Sequence, residues 1–125
     1  MTVVVHLAEV VVDCADPALL GRFYADLLDC SLHTFDDEWT WIEPATRGGG
    51  PADADGVRIA FQKVPEAKTG KVRLHLDLGA ADIEATVERA IDLGASRLGD
   101  PVTDLAGTFV VLADPEGHEF CIVEP

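Results

Sequence analysis

The sequence predicts an α+β fold in which one unit, a strand followed by a helix and three strands, occurs twice. Two observations carry this expectation. Strand-like and helix-like patterns follow the same order in both halves, and the chain overlaps itself when shifted. A shift of 66 residues lays Glu9 on His75, Asp16 on Asp82 and Leu27 on Leu93. A shift of 59 lays Phe61 on Phe120, Gln62 on Cys121 and Val64 on Val123, and a Gly/Pro-rich loop in the first half absorbs the difference. Residues 1–125 read as one domain, with a first module over about 1–64, a linker at 65–71 and a second module over about 72–125.

Each element has a local reason. Residues 3–13 are rich in Val and read as a first strand. "DPALLGRFYADLLD" places Asp16 as N-cap and Pro17 at the first helical position, with Leu19, Leu20, Phe23, Tyr24, Leu27 and Leu28 as its apolar stripe. Short strands are expected around 31–35 and 39–43, a loop over 44–56, and a clear strand in "VRIAFQKV". The second half repeats the order. "VRLHLDL" alternates over 72–78, "ADIEATVERAIDLGA" is a helix closed by Gly94, and "TFVVL" and "EFCIV" flank the turn signalled by Pro115 and Gly117.

Bulk properties narrow the function. Nine basic against 23 acidic residues give a net charge of −14, which repels phosphate backbones and anionic lipid and disfavours nucleic-acid and membrane-surface roles. A cationic ligand would be attracted. No apolar stretch is long enough to span a bilayer, and the opening run carries Glu9 and Asp13, unlike a signal peptide. Three cysteines without zinc-type spacing suit a reducing cytoplasm.

Alternation divides each strong strand into two rows. Val10 and Val12, Leu74 and Leu76, Val57, Ile59 and Phe61, and Phe120 and Ile122 form the rows that bury against the helices. The opposite rows are Glu9, Val11 and Asp13; Arg58, Ala60 and Gln62; Arg73, His75 and Asp77; and Glu119, Cys121 and Val123. This second face either stands in open water or lines a trough that takes a ligand.

The order of elements, the helix "D-P-x-x-L-x-x-F-Y" and the terminal "D-P-E-G-x-E-F" together resemble the vicinal oxygen chelate superfamily, which comprises glyoxalases, bleomycin-resistance proteins and extradiol dioxygenases. The resemblance is greatest to its glyoxalase-like subgroup. It implies one glyoxalase-like domain whose paired βαβββ modules form a U-shaped mixed sheet with helices on the outer face. It also implies a small-molecule ligand in the concave face, a homodimer, and in many members one divalent metal ion. The implied ligand positions fall on Glu9, Gln62, His75 and Cys121, all on the polar rows above. Only His75 has the expected residue type. Glu9 stands where His is usual, and Gln62 and Cys121 stand where Glu is usual; an amide is a weak ligand, and a thiolate shifts preference toward zinc or softer metals.

Candidate roles follow. Glu9 and His75 are the candidate catalytic pair and the first two metal ligands, with Glu9 needing a partner such as Arg73, His75 or a ligand. Gln62 has an amide to hydrogen-bond a ligand, and Cys121 is either a ligand contact or a small buried hydrophobe. Arg58 and Arg73 suit a carboxylate or enolate, or solvent. Trp39 and Trp41, two apart on one face, either stack on an aromatic or cationic ligand or pack in the core. His6, His33 and His118 are left outside the set. Two functions stay open: a lyase or isomerase stabilising an enediolate-like oxyanion, with or without a metal, and a non-catalytic sequestering protein of the bleomycin-resistance kind.

Overall fold

Asp16 and Asp82 do what their positions predict. In the computed structural model, which describes residues 3–45 and 57–124, each opens a helix by accepting a hydrogen bond from the amide three residues on, Leu19 at 3.1 Å and Ala85 at 3.0 Å. The chain divides into two units, residues 1–65 and 66–125. Each holds one helix and one mixed sheet, the predicted α+β class.

In the first unit β1 (Glu9–Cys14) runs parallel to β4 (Arg58–Lys63), and β3 (Trp39–Ile42) joins β4 to β2 (His33–Asp36), giving the order β1-β4-β3-β2. Helix α1 (Pro17–Leu27) lies on one face of β3 and β4. Tyr24 stacks on Phe61 with centroids 5.7 Å apart, and the buried Thr40 hydroxyl donates to the Pro17 carbonyl at 2.8 Å. Gly21 is where helix and sheet come closest; a Cβ there would stand 2.7 Å from Leu32 Cδ1 and 2.8 Å from Thr40 Oγ1.

In the second unit β5 (Asp77–Gly79) runs parallel to β9 (Glu119–Glu124), and β9 pairs antiparallel with β8 (Gly107–Ala113). The strand expected after the helix is two short pieces, β6 (Ser96–Arg97) and β7 (Val102–Asp104), both antiparallel to β8. Helix α2 (Ile83–Leu93) ends at Gly94, whose φ of 124° needs a residue without a side chain, and packs on β9 and β6. Phe120, Ile122, Leu112 and Val110 fill the sheet face beneath it.

Two expected strands are shorter than their patterns. The Val-rich start forms a strand only from Glu9, while Val3, Val4, Val5 and Leu7 are 68–85% exposed. β-propensity alone does not make a strand where no neighbour takes up the backbone. "VRLHLDL" pairs with β9 only from Leu76, whose carbonyl accepts from the Cys121 amide at 2.9 Å. Upstream, the Val72 amide donates to the Glu119 carboxylate instead of a strand carbonyl, the chain bends at 73–74, and Leu74 is 75% exposed rather than packed under α2. The expected loop at 44–56 lies mostly outside the described residues.

Glu119 thereby ties down the stretch ahead of β5. Its carboxylate also accepts from the Lys68 ammonium at 2.7 Å, and the two contacts lower its pKa below the usual glutamate range. Because the folded-state pKa lies below the unfolded value, this tie is intact above the usual range and is lost as pH falls through the lowered value. The protection of the Val72 amide, taken relative to its intrinsic exchange rate at each pH, should therefore fall on acidification before that of the helices, and should be low at neutral pH in Glu119→Gln. Gly21→Ala should destabilise the first unit. Ala gains about 1 kcal/mol of helix propensity, but Thr40 is held in place by its bond to Pro17, and overpacking costs about 1–3 kcal/mol. A melting temperature unchanged or raised would contradict this packing.

Candidate metal and ligand site

The predicted rows hold along β1, β4 and β9, while the fifth-strand row is cut short by the bend at 73–74. In the first unit, the face opposite α1 is built of rungs. Glu9 faces Arg58; Val11, Ala60, Trp41 and His33 form the next rung; Asp13, Gln62, Trp39 and Asp36 form the third. Arg58 and Gln62 are thus neighbours of Trp41 and Trp39. The Arg58 guanidinium is 3.1 Å from Glu43 Oε1 and its central carbon 5.1 Å from the Trp41 ring centroid. Phe35, Asp36, Glu38, Trp39, Gln62 and Lys63 line an open pocket of about 290 Å³ at the end of the β2–β3 hairpin.

His33, set aside on sequence grounds, belongs to this face, with its ring stacked on Trp41 at 5.3 Å between centroids. A bulge between Thr34 and Asp36 shifts the β2–β3 register, so counting along β2 alone does not reveal that neighbour. Glu9 is half-buried at the head of β1 and makes no hydrogen bond or ion pair with the described residues of its unit. Gln62 lies two rungs from Glu9, opposite Asp13, so the two first-unit positions implied for one metal are not neighbours across the ladder.

In the second unit the equivalent face brings three donors together. His75 and Asp77 are two apart and point to the same side, with Nε2 and Oδ1 3.2 Å apart. Cys121 is the cross-strand partner of Asp77. One ligand atom from each of His75, Asp77 and Cys121 lies within 4.8 Å of the others. The imidazole and carboxylate reach solvent, at 48% and 57% exposure, while Cys121 is only 8% exposed. Burial pushes the Cys121 thiol pKa up, the Asp77 charge and hydrogen bond add to that rise, and the Lys71 ammonium opposes it. Arg73 sits exposed in the bend, off the ladder that carries the trio.

The two units do not repeat rung for rung. Gln62 faces Asp13, whereas Cys121 faces Asp77, the residue two beyond the one aligned with Glu9. Asp77 therefore enters the site although only its parity with His75 marked it in the sequence.

The donor set suits a cation. An imidazole nitrogen, a carboxylate oxygen and a thiol sulfur are the three side-chain types that hold zinc-class ions, at about 2.0–2.3 Å. Donors at those radii around a tetrahedral centre stand roughly 3.5 Å apart. His75 and Asp77 already meet that spacing, and the exposed imidazole and carboxylate can rotate toward the sulfur.

Comparison with known proteins follows the same lines. The family model described as a glyoxalase-like domain matches residues 9–123. No curated protein matches the sequence. Among solved structures, a glyoxalase/bleomycin resistance protein/dioxygenase family enzyme from Burkholderia phytofirmans superposes with a TM-score of 0.76 at 17% identity, covering 96% of this chain and 98% of that one. The fosfomycin resistance protein FosX from Mesorhizobium loti gives 0.69 at 14% identity over 98% and 94%. FosX from Listeria monocytogenes, in a variant complexed with Mn(II) and a dihydroxypropylphosphonic acid, gives 0.73 at 12% identity over 97% and 90%. The chain belongs to the glyoxalase-like domain family.

Proposed function

We propose that this protein takes an oxygen-bearing small molecule at a divalent ion held through His75, and performs lyase- or isomerase-type chemistry on it. The observation that carries the reading is the convergence of His75 with two further metal-capable side chains on the sheet face opposite the helix. The Mn(II) bound by the Listeria FosX structure, which shares the fold, supports it. A bound ion would polarise the substrate oxygen as a Lewis acid. Such chemistry needs a carboxylate to move a proton, the role the family resemblance gives Glu9, which is half-buried at the head of β1. A metal-free version using the arginines has less behind it, since Arg58 is engaged by Glu43 and Arg73 lies on an exposed bend.

A second reading, ligand sequestration without chemistry, draws on a different observation. The pocket of Phe35, Asp36, Glu38, Trp39, Gln62 and Lys63 combines aromatic walls with carboxylates, and the chain is strongly acidic, so an organic cation suits it. On either reading the protein is placed in a reducing cytoplasm as a homodimer. The three free thiols support the first, and the exposed apolar run ahead of β1 supports the second. No described helix is long and apolar enough to cross a membrane.

A thermal-shift series with metals on chelator-treated protein separates the readings. An ion at a hundredfold excess over its Kd stabilises by about 2.7 kcal/mol, a rise of several degrees for a chain of this length. The rise should appear in the native chain and vanish in His75→Ala. No rise with any divalent ion, together with stabilisation by a cationic aromatic compound that Trp39→Ala abolishes, would replace the enzyme reading with the sequestering one.

A further inference from the structure

The geometry points to a thiophilic metal site contained in the second unit, with His75, Asp77 and Cys121 as a three-donor set that leaves one position open for a ligand oxygen. The inference rests on the metal reading above and deepens it by naming the donors and the class of ion.

The choice of ion follows from the atoms present. Magnesium and manganese favour shells made mostly of oxygen, and this trio offers one carboxylate. Nitrogen and sulfur beside a single oxygen suit the borderline ions, zinc and cobalt(II). Cys121 supplies the discriminating atom, and the fold holds it in place. Its amide donates to the Leu76 carbonyl at 2.9 Å, between the two exposed donors in sequence, so sulfur, imidazole and carboxylate hang from one stretch of paired backbone. Asp77 already lies 3.2 Å from the imidazole and contacts the thiol, so it sits between the other two donors. The balance is simple: the ion enters, the Cys121 thiol releases its proton to solvent, and a sulfur–metal bond replaces the sulfur–hydrogen bond. No electron moves. Thiolate and carboxylate together then offset the two positive charges of the ion, with Lys71 close enough to moderate the excess negative field before it arrives.

Cobalt(II) tests this directly, because a sulfur ligand produces a near-ultraviolet charge-transfer band and tetrahedral coordination produces intense visible bands. The full chain, stripped with chelator, is titrated with cobalt(II) alone. Both bands are expected to saturate at one cobalt per chain, to be displaced by zinc, and to persist in excess manganese(II) or magnesium. Cys121→Ser should remove the charge-transfer band, whereas Cys14→Ser and Cys30→Ser should keep it. Asp77→Asn should weaken cobalt binding by more than about tenfold, a loss of about 1.4 kcal/mol. His75 and Asp77 are exposed, so His75→Ala and Asp77→Asn should melt as the metal-free native chain does. Manganese(II) binding at one per chain, lost in His75→Ala and without a sulfur band for cobalt, would overturn the thiophilic donor set and keep the metal reading. Failure of cobalt, zinc, manganese and magnesium alike to bind would overturn both.

Discussion

One buried carboxylate sets the register on which the second unit depends. Asp114, 3% exposed, accepts from the amides of Glu116 at 2.9 Å and His118 at 3.1 Å and closes the turn between β8 and β9, with Gly117 at a φ of 85° completing it. Side-chain period in a strand is two, so a slip of one residue would turn every β9 side chain over. Phe120 and Ile122 would leave α2 for water, and Cys121 would point into the core. With the turn in place, Cys121 falls opposite Val111 on one side and Asp77 on the other. The chemistry proposed for the second unit is therefore downstream of a turn that touches none of its donors.

The two units use one frame for different side chains. Both cap the helix with Asp, run the first strand parallel to the last, and bury the last strand's apolar row beneath the helix. On the opposite face the first unit carries rings, with Trp41 between the neighbouring strands that bear His33 and Ala60 and with Arg58 against its ring, while the second carries an imidazole, a carboxylate and a thiol. Outside its buried members Ala60 and Cys121, this face carries exposed and half-buried side chains that can change their chemistry with less effect on the fold than the row beneath the helix.

Much of this was legible in the residues. Helix starts, the burial of Phe61, Phe120 and Ile122, and the division of β1, β4 and β9 into two rows follow from local rules of capping and alternation. What was not legible depends on partners distant in sequence. Val72 to Leu76 have a faultless strand pattern, yet the Glu119 side chain, 47 positions from Val72, takes the amide that a strand would need. The His33–Trp41 stack required the register across a bulge. The equivalence of Gln62 and Cys121 came from matching letters, and letters do not record that the two parallel pairs differ in register.

The exposed start of the chain has a consequence for how copies meet. Val3, Val4, Val5 and Leu7 stand in solvent beside β1, the terminal strand of its own sheet, and such an edge invites strands from other molecules. Against this stands a charge of −14 on every chain. Repulsion in a growing aggregate rises with the product of the charges, while each new edge adds only one strand's worth of contact. In dilute salt, where the Debye length is about 30 Å at 0.01 M, that competition favours small, closed associations over open fibres, making the acidic surface a colloidal stabiliser for an otherwise adhesive edge.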